Sequence, residues 1–199
     1  MTKLRTTNLT FSAIFVCLMA IGANITVWFP MLAIPIGGAT VPLSLQTFFA
    51  TIAGLMLGKR LGAFAMMTYI LIGIAGLPVF SQLKAGPMQL FLPTGGFIIS
   101  FIFVAFFAGL IAERCKKPSY PMYILAAFTG LIFNYGIGVT YMYVAINTWL
   151  ELQISYTLAW SGMIPFLIKD TGLACLAAVF MLNLVKRIPS RWISTVKAS

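Results

Sequence analysis

Apolar residues in this chain come in long unbroken runs rather than in alternation, and polar residues collect between the runs. Six runs are long enough to cross a bilayer, which takes about 20 residues with a range near 17–25. They lie at Leu9–Trp28, Val41–Leu57, Leu61–Phe80, Thr94–Ala112, Met122–Ile146 and Pro165–Val185. The last is expected to open on Pro165, because a first-turn proline gives up an N–H that would have no partner anyway. The pattern therefore predicts an all-α integral membrane protein, a bundle of six transmembrane helices forming a single membrane domain over 1–199.

Composition agrees. Apolar residues make up 61 % and charged residues 8 % of the 199 positions, with mean hydropathy +1.01; a soluble domain carries about 25 % charged residues. The formal charge of +10 gives no reason to expect nucleic-acid binding, because the basic residues sit at the ends of apolar runs. Short basic connections, "GKRLG" and "ERCKKPSY", follow runs two and four. Longer ones, "FPMLAIPIGGAT", "SQLKAGPMQLFLP" and "NTWLELQISYTLAWSG", follow runs one, three and five. Lys3, Arg5, Lys59, Arg60, Arg114, Lys116, Lys117, Lys186, Arg187, Arg191 and Lys197 fall on the side of both termini, against Lys84 alone opposite and Lys169 within a run. The positive-inside rule then puts both termini in the cytoplasm and the three long loops outside. The N-terminal run is read as a retained first span, since "ANITVWFP" is a poor cleavage site. A lone six-helix chain is short of the helices with which inverted-repeat transporters present two alternating halves. If it moves a solute, it calls for partners or dimerisation.

The chemistry available is narrow. There is no histidine, and Cys17, Cys115 and Cys175 are scattered without C-x-x-C spacing, so neither a zinc site nor a disulfide framework is suggested. Glu113 and Glu151 are expected on opposite sides of the bilayer, leaving no paired acids, and there is no Ser–His pair or metal cluster for intramembrane catalysis. The chain is read as not an enzyme, with no cofactor and no metal.

Asp170 is the leading site residue. A charge in hydrocarbon costs about 2.5–3.5 kcal/mol on insertion scales, and intramembrane ionisable residues are functional by default. With the helix opening at Pro165, Asp170 lies about 7–8 Å below its outer end, where an ionised carboxylate accepts from a ligand N–H or cation; the alternative is an internal ion pair. Lys169 lies about 100° away around the helix and is not expected to share a face with Asp170; it snorkels to the interface or contacts an anion. Lys84, beside Gln82 and Gln89, either draws in an anionic ligand or is solvated. Asn134 binds or packs. Tyr141, on the same face as Asn134 (i, i+7), contacts a ligand or joins the aromatic belt, and Gln46 sits just inside run two. Trp28, Trp149 and Trp160 are read as belt residues. In "PTGGF", Thr94, Gly95 and Gly96 either offer helix N-terminal N–H groups to a carboxylate or form a plain turn. Ala13, Cys17 and Ala20 make a small-residue stripe that faces a partner or the bundle itself.

Three blocks taken together resemble the BioY family, the biotin-specific S components of energy-coupling factor (ECF) transporters. They are "VPLSLQTFFATIAGLMLGKRLGAFAMMTYILIGIAGLPVF" (Val41–Phe80), "PTGGFIISF" (Pro93–Phe101) and "PFLIKD" (Pro165–Asp170). The resemblance implies a six-helix bundle in a bacterial or archaeal cell membrane with a biotin pocket near the outer face. It also implies a membrane-spanning coupling subunit, met by the first helix, and two cytoplasmic ATPases; this chain has no G-x-x-x-x-G-K-[ST] loop of its own. The family often has Tyr where Phe97 stands, Lys where Leu173 stands, and A-x-x-x-A where Ala13 and Cys17 stand. For biotin, the resemblance casts Asp170 as acceptor from the ureido N–H groups and Asn134 or Gln46 as partner of the carbonyl. The Thr94–Gly96 amides or Lys84 would take the carboxylate, and Phe80 and Tyr141 the apolar body. The alternative function is a stand-alone ion-coupled carrier of a small solute using Asp170.

The orientation is testable in intact cells. In a cysteine-free background, Lys84→Cys is expected to react with a membrane-impermeant maleimide and Lys59→Cys to react only after the membrane is opened; the reverse pattern overturns the topology.

Overall fold

The computed structural model describes residues 6–36, 39–115 and 118–187, with backbone alone for 32–36 and 39–42. Of the basic residues used for orientation, Lys3, Arg5, Lys116, Lys117, Arg191 and Lys197 lie outside the described residues. The helices are α1 (Thr6–Ala23), a short α2 (Ile25–Trp28), α3 (Gln46–Ile74), a short α4 (Met88–Phe91), α5 (Gly95–Arg114), α6 (Tyr120–Thr148) and α7 (Tyr156–Arg187). Five of them, α1, α3, α5, α6 and α7, are long and apolar enough to cross a membrane, with mean hydropathy between 1.4 and 2.4 over their most apolar windows.

The connection "GKRLG" expected between the second and third spans is not a loop, because the two are arms of α3 joined at Gly58. Gly58 (φ 82°, ψ 172°) breaks α3 into Gln46–Leu57 and Lys59–Ile74. A Cβ on Gly62 would come within 2.9 Å of Gly54 Cα, whereas eight residues of straight helix separate two Cα atoms by about 12 Å. The chain therefore doubles back at Gly58. Glu113 of α5 closes this turn: its Oε1 accepts from the Lys59 N–H at 2.9 Å, and its Oε2 lies 3.1 Å from Lys59 Nζ. The carboxylate thus satisfies one of the N–H groups left free where the second arm begins.

Two further expectations are corrected. The run from Val41 does not start a helix, because Ala33–Ile36 and Ala39–Pro42 pair as an antiparallel ribbon, Ala33 opposite Pro42 and Ile36 opposite Ala39. A residue before proline, here Val41, is biased toward extended backbone, and the helix waits until Gln46. The last helix does not open at Pro165 either. It runs from Tyr156 for 32 residues with Pro165 inside it, so the predicted long fifth loop shrinks to 149–155. At about 48 Å this helix is longer than a hydrocarbon core of about 30 Å, and its first turns extend beyond it.

Small residues let the centre close. A Cβ on Gly54 would strike the Ala105 backbone, and one on Gly109 would strike Lys59 N and Gly58 C. The α3 and α5 backbones touch there, flanked by buried Ala50, Ala53, Ala108 and Ala112. This is the packing of membrane helices, in which close van der Waals approach replaces a hydrophobic drive. A second cluster joins α6 to α7 through Ala127, Leu131, Val139, Met142, Ala159 and Ala174. Outside these contacts the helices present large apolar side chains outward, including Ile132 (70 % exposed) on α6 and Ile168 (68 %) on α7, as a lipid-facing surface does.

Gly58→Ala is expected to destabilise the detergent-solubilised protein by about 1–3 kcal/mol for this backbone conformation alone, seen as a lower melting temperature. The added methyl would also press on Glu113 Oε1. Gly136→Ala, with nothing within 4 Å of the new methyl, is expected to be neutral or stabilising. Equal melting shifts would overturn this account of the turn.

Candidate functional site

At the end of α3 away from Gly58, five elements leave a cavity of about 380 Å³. Its walls come from the start of α3, the 80–94 connection, the start of α5, the middle of α6, and α7. The volume is within the range of small-molecule sites, about 300–1,000 Å³. Phe80, Phe97, Phe101, Met142, Met163 and Phe166 supply apolar wall. Phe80 meets Tyr69 edge-on at 5.7 Å between ring centroids, and Phe97 meets Tyr135 at 5.9 Å.

The polar side chains form two buried chains. In the first, Ser100 Oγ donates to Asn134 Oδ1 (2.6 Å), Asn134 Nδ2 to Thr47 Oγ1 (3.4 Å), and Thr47 Oγ1 to Asp170 Oδ2 (3.2 Å), which also accepts from the Tyr135 hydroxyl (2.9 Å). In the second, Gln46 Nε2 donates to the Tyr69 hydroxyl (2.9 Å), which donates to Val79 O (3.0 Å). Asp170 is 4 % exposed. It lies 14 residues into α7, about 21 Å along the helix, and not in the first turns after a start at Pro165.

Lys169 departs from expectation. Its Nζ lies 2.8 Å from Asp170 Oδ1 and donates to Ser44 O at 2.6 Å. The four-carbon stem lets the ammonium curl back across the 100° between neighbouring side chains, so snorkelling to the interface is not what the structure shows. The alternative left open for Asp170, an internal ion pair, is realised. The ammonium thus serves both the Asp170 carboxylate and the Ser44 carbonyl. Pairing is what makes the buried charge tolerable.

Of the residues singled out in the sequence, Asp170, Asn134, Gln46, Thr94, Lys84 and Phe80 all line the cavity. Tyr141, Gly95 and Gly96 do not. Tyr141 is on the expected helix face but is capped by the α5 N-terminus: its ring lies where a Cβ on Gly96 would stand, and its hydroxyl donates to Leu90 O at 2.7 Å. Gly95 packs on the Leu90 backbone and gives its N–H to Leu92 O at 2.8 Å, so that amide is already used. Ala13 and Cys17 are exposed and Ala20 is half-buried, beside the core residues Phe15, Val16 and Met19; Ala13 and Cys17 face away from the bundle. Trp28, Trp149 and Trp160 are not on the cavity wall. Sequence reading missed Tyr135 and Thr47. Each is the chain neighbour of a residue it singled out, and nothing in the sequence says that both would turn toward Asp170. Among the described residues no group of three His, Cys, Asp or Glu could hold a metal.

The BioY family model matches residues 1–190. The chain belongs to the BioY family. Among similar proteins, the "Putative biotin transporter BioYB" of Bacillus subtilis is 44 % identical over 172 residues, covering 86 % of this chain and 84 % of that one. The "Biotin transporter BioY" of Thermotoga maritima is 37 % identical over 175 residues, covering 88 % and 94 %. A crystal structure at 2.1 Å of "the S-component for biotin from an ECF-type ABC transporter" superposes with a TM-score of 0.78 over 94 % of this chain and 95 % of that one, at 23 % identity; at that identity the likeness speaks for the fold. In this family member Phe97 is a cavity wall, whereas Leu173 is not on the lining. With its apolar helices, the chain is a cell-membrane protein of a transporter family.

Lys169→Met is expected to destabilise the protein by about 3–5 kcal/mol, because it strands a buried carboxylate. The double variant Lys169→Met/Asp170→Asn is expected to recover much of the loss in a thermal melt. A single variant that melts like the parent would show that the pair carries no such weight.

Proposed function

We propose that this chain takes up biotin as the substrate-binding S component of an ECF transporter, with biotin in the cavity beside Asp170. The observation that carries the reading is the cavity's composition: a largely apolar lining with a buried carboxylate, Asp170, and an exposed cation, Lys84. Biotin has matching parts, a ureido ring with two N–H donors, a carbonyl, an apolar body and a carboxylate. The ureido N–H groups face Asp170, whose carboxylate already draws Lys169, Thr47 and Tyr135 to the same end of the cavity. Asn134 or Gln46 serves the carbonyl, Phe80 and Phe97 flank the body, and Lys84 meets the carboxylate. Biotin itself is cargo, and the chain is a transporter component rather than an enzyme.

The chain crosses the membrane six times in this reading, the two arms of α3 counting separately, as one membrane domain with both termini in the cytoplasm of a bacterial or archaeal cell. It needs no cofactor. The exposed stripe of Ala13 and Cys17 suits close contact with a membrane-spanning coupling subunit, while two ATPase subunits supply the energy from the cytoplasm.

Isothermal titration of the purified chain with biotin is expected to give saturable binding. Asp170→Asn is expected to weaken it at least about tenfold, the loss of roughly 1.4 kcal/mol. Unchanged affinity in a folded Asp170→Asn protein would remove the carboxylate from the site. Biotin accumulation in liposomes by this chain alone, driven by an ion gradient without ATP, would favour a carrier instead.

A further inference from the structure

The first long helix ends at Asn24, a residue the sequence gave no reason to single out. Its backbone (φ −108°, ψ 13°) leaves the helix, and its side chain is 2 % exposed. Nδ2 donates to Ala20 O at 2.9 Å, which is enough to close the end of α1. Oδ1 accepts from the Leu83 N–H at 2.7 Å, 59 residues away, and α1 has no need of that second bond.

The turn that holds Leu83 does need it. Phe80 N donates to Lys84 O at 3.1 Å, closing a tight reversal in which Gln82 (φ 61°) and Leu83 (φ 54°) are both left-handed. Two consecutive residues with side chains in that region are strained, because Cβ crowds the following carbonyl. The Leu83 side chain is half exposed, so its packing does not hold the turn. A short hydrogen bond to a buried amide does. This turn carries Ser81, Gln82 and Lys84 to the cavity wall, and Lys84 makes no ion pair among the described residues.

We propose that Asn24 is a positioning residue for ligand recognition: by gripping the Leu83 amide it fixes Lys84 over the cavity mouth, where the ammonium meets the ligand's carboxylate. The inference rests on the reading of Lys84 given above. Without Asn24 the turn relaxes out of its left-handed conformation, and the flexible lysine loses its aim although its charge remains. The ureido contacts, made by α3, α6 and α7, do not depend on this turn, and Phe80 at its base is buried and held separately by its edge-on contact with Tyr69.

The test compares biotin with biotin methyl ester, which lacks the negative charge, on the purified full chain. The parent is expected to prefer biotin. Lys84→Ala should cut that preference about tenfold, Asn24→Ala should cut it to a similar degree while leaving the ester's affinity nearly unchanged, and the double variant should lose no more than Lys84→Ala alone. If Lys84→Ala leaves the preference intact, the reading of Lys84 fails and takes this role of Asn24 with it. If Lys84→Ala removes the preference but Asn24→Ala does not, or weakens both ligands alike, the role of Asn24 alone fails. Should Asn24→Ala not fold, hydrogen exchange on the parent decides: a slowly exchanging Leu83 amide supports the grip, and exchange at the rate of an open loop overturns it.

Discussion

A buried carboxylate governs the half of this molecule that holds the cavity. Asp170 reaches three other long structural partners at once: Thr47 on α3, Tyr135 on α6, and Lys169, which is tied in turn to the Ser44 carbonyl ahead of α3. Through Thr47 and Asn134 the same chain of hydrogen bonds extends to Ser100 on α5. Every one of these groups would be costly if left unpaired in an apolar interior, so each fixes the next. Four helices that could slide against one another on apolar contacts alone are held in one register. That register keeps the space between them open.

The two ends of the bundle are built on different rules. Near Gly58 the backbones of α3 and α5 touch, with glycine and alanine at the contact and Glu113 closing the turn. No room for a ligand remains there. At the other end, larger side chains from α5, α6 and α7 stand against one another across a gap, and polar side chains line its floor. The contrast gives the fold a closed basic end and an end that keeps a cavity. The weakly covered, lipid-facing surfaces of α1 and α7 leave room for a membrane partner to dock.

The ion pair of Lys169 and Asp170 changes how the site is understood. A carboxylate waiting alone for a ligand would carry the full desolvation cost in the empty protein. Paired, it is tolerated, with Oδ1 beside the Lys169 ammonium and Oδ2 accepting from Thr47 and Tyr135. Both oxygens are engaged within the protein, so this position bears on the internal stability of the bundle.

Much of this was legible in the residue order. Apolar runs longer than about 17 residues have nowhere to go but a bilayer. Basic residues gather at their ends for the same reason, and a lone carboxylate inside such a run stands out by its cost. Asp170, Asn134, Gln46, Thr94, Lys84 and Phe80 could be named on those grounds. What the linear chain did not decide was direction and distance. Seven residues along a helix brings Tyr141 to the face of Asn134, but only the approach of Gly96 buries it away from the cavity. A lysine adjacent in sequence to Asp170 points elsewhere by helical angle, and only its flexible stem and the nearby Ser44 carbonyl bring it back. Pro165 reads as a start signal, yet the helix continues through it from Tyr156. Periodicity and solvation cost are local properties that each residue carries with it; which groups meet across helices depends on how closely the backbones approach, and that is set by packing between segments far apart in the chain.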